Sequence, residues 1–196
     1  MTTIGIIVGS TRPRRRSTLV ADWVTATAIG HDNAAYVVLD LADFGLPLLD
    51  EELPAKWGRY AGDHTRRWAD AVAACDGFVF VTPEYNHAEP AALKNAIDYL
   101  FAEWGHKAAG FVTYGVAGGQ RAAESLRLVL AELHVATVRQ TVALSVMADF
   151  EITDPSEPGV LRPLPHQDGD LTLLLDEVVA WAEALAPLRA DRSTMA

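Results

Sequence analysis

The chain has 196 residues, of which 50% are hydrophobic and 21% charged, a length and balance suited to one soluble domain around one core. Its 26 acidic residues against 16 basic ones give a formal charge of −10, which argues against a nucleic-acid partner, because phosphate contact needs a net positive surface. No apolar run approaches the roughly 18–20 residues of a membrane helix, and the single cysteine, Cys75, excludes an internal disulfide or a cysteine-cluster metal site.

Met1-Thr2-Thr3 leads directly into a strand-like segment, without a basic stretch or cleavage signal, so a cytoplasmic protein is expected. Ile4-Gly5-Ile6-Ile7-Val8 is a continuous apolar run ending at Gly9, the pattern of a strand covered on both faces. A basic, hydroxyl-rich stretch follows, and then Leu19, Val20, Trp23 and Val24 share one helical face. Tyr36-Val37-Val38-Leu39 reads as a second strand, and residues 58–75 as a helix. Buried flanks (Val72, Ala73, Ala74) make Cys75 a structural thiol rather than a redox one. Phe78-Val79-Phe80-Val81 is a third strand, followed by a helix starting near Pro90 and Ala91 with Leu93, Ile97, Leu100 and Phe101 on one face.

A fourth strand spans residues 110–114, and its helix carries Ala122, Leu126, Val129, Leu130 and Leu133 on one side. The run from Val138 to Val146 alternates more, with Arg139, Thr141 and Ser145, and suits a strand nearer an edge. Residues 153–165 hold Pro155, Pro158, Gly159, Pro163 and Pro165 and are expected to form an irregular arm. A last helix buries Leu171, Leu174, Leu175, Val178, Trp181 and Leu185, and residues 187–196 read as a flexible tail. Five strands alternating with five helices predict an α/β fold, a three-layer sandwich with a five-stranded parallel sheet in the order 2-1-3-4-5. No repeat or linker divides residues 1–196, which are read as one domain.

In such a sheet ligands bind beyond the carboxyl ends of the strands, where strand order reverses. Three loops of unusual composition meet that edge. The first, Gly9-Ser10-Thr11-Arg12-Pro13-Arg14-Arg15-Arg16-Ser17-Thr18, joins a strand to a helix, so open amides and the positive end of the helix dipole favour a phosphate. The alternative is an ordinary capped turn with a solvated basic run. Neither G-x-x-x-x-G-K-[ST] nor G-x-G-x-x-G is present, and the loop has no cysteine nucleophile. The second loop, Thr82-Pro83-Glu84-Tyr85-Asn86-His87-Ala88-Glu89-Pro90, places an aromatic and an amide where a flat ring would lie. Its Glu84 and His87 invite an acid/base reading, but one His without a partner fits a solvated side chain better. The third, Tyr114-Gly115-Val116-Ala117-Gly118-Gly119-Gln120, lets a ligand approach main chain closely, or is a plain turn.

On Gly9-Ser10-Thr11-Arg12, Pro83-Glu84-Tyr85-Asn86-His87 and Leu93-Lys94-Asn95-Ala96-Ile97-Asp98-Tyr99, over nearly its whole length, the chain resembles the NADPH-dependent FMN reductases. That family is flavodoxin-like and includes azo-, quinone- and chromate-reducing enzymes. The resemblance implies bound FMN, NADPH or NADH as electron donor, and a small oxidant: flavin, quinone, azo compound or metal oxyanion. It implies that Ser10, Arg12, Ser17 and Thr18 hold the FMN phosphate, that Pro83, Glu84, Tyr85 and Asn86 line the ribityl chain and ring, and that Tyr114 and Gly115 border the ring. Lys94, Asn95 and Asp98 look like scaffold and interface positions, and a homodimer or homotetramer is implied. No catalytic acid or base, metal, nucleic acid or membrane enters this reading. Arg14 and Arg16 depart from the glycine or small residues found there in the family, altering the phosphate geometry or meeting the donor's 2′-phosphate. The rivals are a flavodoxin-type electron carrier working with partner proteins, and a module that keeps the fold without flavin.

Overall fold

The computed structural model describes residues 1–31 and 33–191. Five parallel strands, β1 (Thr3–Val8), β2 (Ala35–Asp40), β3 (Gly77–Pro83), β4 (Ala108–Gly115) and β5 (Ala136–Ser145), form one sheet in the order β2-β1-β3-β4-β5. Side-chain alternation divides the core in two. Ile4, Ile6 and Val8 of β1 and Val79 and Val81 of β3 pack under α1 (Ser17–Ile29) and α6 (Pro165–Ala184). Ile7, Phe78, Phe80 and Phe111 face the other way, toward α3 (Asp63–Ala73), α4 (Ala91–Asp98) and α5 (Gln120–Glu132). There Trp68 and Trp104 are fully buried, each with its indole N–H satisfied by a backbone carbonyl, of Ala96 and Ile97 respectively. This is the flavodoxin-like three-layer arrangement that the apolar runs predict.

Several elements differ from expectation. The helix expected over residues 58–75 is present but shorter: α3 starts only after the extended Gly62 and ends at Ala73, and a 3-10 turn, Ala55–Trp57, closes before it at Gly58 with φ +61°. The Glu51 carboxylate accepts the Ala61 and Gly62 amides there, at 2.8 and 2.9 Å. A short α2 (Leu41–Phe44) follows β2, capped by Asp40, which accepts the Ala42 amide. The arm is not wholly irregular, because β6 (Phe150–Glu151) and β7 (Val160–Leu161) pair antiparallel at its base. The presumed flexible tail is helical at first, as α7 (Ala186–Ala190). Arg189 secures it, donating to Asp76 Oδ1 at 2.9 Å and to the Ala182 and His106 carbonyls at 2.7 and 3.2 Å. Residues 192–196 of that segment lie outside the described residues. No described helix is long and apolar enough to cross a membrane.

Candidate functional site

The carboxyl ends of β1, β3 and β4 open into a crevice of about 210 Å³. Its walls are residues 12–16, Pro83, Glu84, Tyr85, Tyr114, Gly115 and Val116, joined by Val146 and, from the arm, Pro155, Ser156 and Glu157.

The first loop enters from β1 with Gly9 donating to the Val81 carbonyl at 2.9 Å. Ser10 is buried, with its Oγ 3.3 Å from the Tyr85 hydroxyl, and accepts the Arg12 amide at 3.4 Å. Arg15 forms an ion pair with Asp40 inside the fold. Arg14 has φ +54°, a left-handed conformation that costs about 1 kcal/mol or more for a residue with a Cβ. Its guanidinium meets Glu157 Oε1 at 2.9 Å, while Arg16 donates to the Glu157 carbonyl at 3.2 Å. Helix α1 then begins without a side-chain cap, which leaves its first-turn amides and the positive end of its dipole facing out. Around this terminus Ser17 Oγ, Arg15 Nε and Arg16 Nε are buried with no hydrogen-bond partner. One unsatisfied buried polar group costs about 1–3 kcal/mol; several donors around one helix start could be satisfied by an anion.

The second loop is fixed from both sides. The Glu84 amide donates to the Tyr114 carbonyl at 2.9 Å, and its carboxylate takes Arg121 through the side chain at 3.1 Å and the amide at 3.2 Å. Glu84 is thus already paired, which removes it as a free base. Tyr85 and Ala88 exchange two backbone hydrogen bonds, at 2.8 and 3.1 Å, across Asn86 (φ +51°) and His87 (φ +70°). That is a two-residue hairpin of type I′, and it presents the half-exposed Tyr85 ring at the crevice. The third loop turns on Gly118 and Gly119, with φ +78° and +73°; a Cβ on Gly119 would stand 2.8 Å from the Tyr114 amide. Tyr114 is buried, and that burial raises its hydroxyl above the usual tyrosine range.

Of the residues singled out from sequence, Arg12, Pro83, Glu84, Tyr85, Tyr114 and Gly115 line the crevice. Ser10 and Ser17 are buried beside it, against Tyr85 and next to Arg16. Thr18 and Asn86 are not among the lining residues: the Thr18 hydroxyl donates to the Arg15 carbonyl at 3.2 Å, bracing the loop, and Asn86 forms the turn. His87 is exposed. The sequence reading missed Val116, Val146 and the arm residues 155–157. The prolines of residues 153–165 predict only an irregular arm, and its acidic residues, Asp154 and Glu157, were the available signal for a meeting with the basic loop.

With this geometry established, the chain compares with known proteins as follows. The family model for NADPH-dependent FMN reductase matches residues 2–149. An NAD(P)H-dependent FMN reductase of Schizosaccharomyces pombe is 37% identical over 157 residues, covering 79% of this chain and 78% of that protein. Another protein of that name, from a Nectria species, is 36% identical over 194 residues, covering 94% and 89%. Among solved structures, a flavoenzyme NAD(P)H:(acceptor) oxidoreductase from Paracoccus denitrificans superposes with a TM-score of 0.70 at 22% identity, covering 94% of this chain and 98% of that one, which supports the fold.

Proposed function

The chain belongs to the NADPH-dependent FMN reductase family, and on that premise we propose that it holds FMN in the crevice described above and passes electrons from NADPH or NADH to a small oxidant: flavin, quinone, azo compound or metal oxyanion. The observation that carries the placement is the set of buried, unpartnered Ser17 Oγ, Arg15 Nε and Arg16 Nε at the open start of α1. A phosphate monoester fits it, since it brings about two negative charges and three acceptor oxygens to donors that lack partners.

In this reading Ser17 and Arg12 bind the phosphate with the first-turn amides, Ser10 holds Tyr85 in place, and Thr18 keeps the loop in register through the Arg15 carbonyl. Pro83, Glu84 and Tyr85 form one wall for the ribityl chain and ring, with Asn86 turning the loop behind them, and Tyr114 and Gly115 form the other. The Arg121–Glu84 pair ties that wall to α5, so the ring's orientation is set by the scaffold. FMN held there would supply the hydride and electron chemistry between the nicotinamide and the oxidant. The protein's part is to position the rings and surround them with fixed amides; no side chain is assigned as acid or base. An electron-carrier role is the weaker reading, because both curated relatives described above bear reductase names.

We place the protein in the cytoplasm as a single FMN-binding domain, assembled as a homodimer or homotetramer. The segment between α2 and α3 supports assembly: Leu48 is 82% and Trp57 57% exposed, with Leu49 and Leu53 beside them. Asn95 and Tyr99 hold this segment in shape, Asn95 accepting the Leu49 amide at 2.9 Å and Tyr99 donating to Asp50 at 2.9 Å. The decisive experiment is a visible spectrum of the purified protein, followed by anaerobic titration with NADPH and NADH. A flavin spectrum that bleaches with either donor is expected. A folded protein that takes up no FMN at micromolar concentration overturns the proposal.

A further inference from the structure

The crevice carries more positive charge than one phosphate requires, and its arginines are not equivalent. Arg15 is committed to Asp40, and Arg16 turns its unpartnered Nε inward. Arg14 instead stands at the mouth with its side chain 62% exposed, on a backbone conformation that glycine would adopt freely. Its partner Glu157, 53% exposed, sits on the loop between β6 and β7. Each of those strands has only two residues, too short a hairpin to hold its own tip firmly. Two bonds dock the tip on the basic loop: Arg14 to the Glu157 carboxylate, and Arg16 to its carbonyl.

We propose that Glu157 is a built-in competitor for a phosphate: its carboxylate occupies Arg14 in the resting protein, and the 2′-phosphate of NADPH takes that place when the donor docks. The pair thereby sets the preference for NADPH over NADH. The inference rests on the FMN reading, since the donor must dock beside the bound cofactor. The exchange is favourable for two reasons. A phosphate monoester carries nearly twice the charge of a carboxylate and has three acceptor oxygens, and a solvent-exposed ion pair is weak and easily displaced. NADH, with a hydroxyl at that carbon, has nothing with which to displace Glu157.

The test uses FMN-loaded protein, titrated calorimetrically with 2′,5′-ADP and with 5′-AMP, which differ only in the 2′-phosphate. Wild type is expected to favour 2′,5′-ADP by about tenfold, the order that one exposed charge-assisted contact supplies. Arg14→Gly, which suits the local φ and so spares the fold, is expected to erase that preference; Glu157→Gln is expected to enlarge it. The ratio of kcat/KM for NADPH to that for NADH should fall and rise in step. Equal affinities in wild type, an unchanged preference in Arg14→Gly, or an equal loss of FMN affinity in that variant would each overturn the proposal. The flavin spectrum is recorded before the titration, so failure of the cofactor reading shows itself separately, as protein that never loads.

Discussion

The sheet has a cavity at each end, and the two are unlike. At the amino ends of β3 and β4, Ala73, Cys75, Asp76, Ala102, Lys107 and Arg189 enclose part of a space of about 530 Å³, more than twice the roughly 210 Å³ of the crevice at the carboxyl ends. Yet its charged groups are spoken for. Lys107 donates to the Val72 carbonyl at 2.7 Å and lies over the Phe78 ring, while Asp76 takes both Arg189 and the Thr3 amide. The smaller crevice is lined by Arg15 and Arg16, whose Nε atoms lack partners, with Ser17 Oγ buried beside it; left-handed backbone marks both ends, at Arg14 here and at His106 there. Volume records where packing elements fail to meet. Unsatisfied donors record where an anion would find partners.

The contrast breaks most sharply at Lys107. If the larger cavity is scaffold, removing its amine harms folding and leaves the flavin alone. Lys107→Ala strips a donor from the carboxyl-terminal carbonyls of α3 and empties volume beside Phe78, so a loss of about 3 kcal/mol is expected in urea denaturation, with FMN affinity unchanged. A pH series sharpens the point. Burial pushes the Lys107 amine down from 10.5 to about 8, so between those values the unfolded chain binds a proton that the native one has released, and native stability rises with pH. Measured against Lys107→Met, wild type should gain about 3 kcal/mol across that interval. The buried Cys75 thiol, pushed up to about 11 by burial and partly held down by Lys107 itself, pulls stability the other way as pH rises, so both chains carry Cys75→Ala and their difference isolates the amine. A difference that stays flat with pH would show that Lys107 is not buried as described.

At the other end the expected signs reverse. Ser17 Oγ is buried beside the Tyr114 hydroxyl, so Ser17→Ala should change the stability of the unliganded protein by no more than about 1 kcal/mol. The same change should weaken FMN binding by about 2 kcal/mol, the worth of one charge-assisted hydrogen bond. Thermal melts with and without FMN read both effects at once. Tyr85→Ala comes next in size. Loss of a ring face and of the contact with Ser10 should cost about 1 kcal/mol of FMN affinity, visible as a faster release of flavin on dilution.

The layered sheet was legible because runs such as Ile4–Val8 and Phe78–Val81 carry both period and composition of strands buried on two faces. The first loop's place at the crevice was legible too, because it follows β1 at the carboxyl edge of the sheet. The arm's part in the crevice was not, because Glu157 meets Arg14 across 143 positions of sequence and only the completed fold brings them together. The late start of α3, after Gly62, was hidden for a related reason: it depends on Glu51 accepting two amides ten and eleven residues further on. The same holds for α7, where the Arg189–Asp76 pair spans 113 positions.

The smallest effect comes from a residue that lies near the crevice yet belongs to the scaffold. His87 occupies the second central position of the turn between Tyr85 and Ala88, at φ +70°, where a type I′ hairpin favours Asn followed by Gly. Its side chain is exposed and makes no hydrogen bond among the described residues. His87→Gly turns Asn86-His87 into that favoured pair, relieving left-handed strain at the expense of a more flexible unfolded chain. A gain of about 0.5 kcal/mol in stability is expected, with NADPH oxidation showing the same pH profile as wild type. A pH profile that lost a limb in this variant would instead make His87 a proton donor or acceptor in the reaction, and would move the boundary between scaffold and site across this turn.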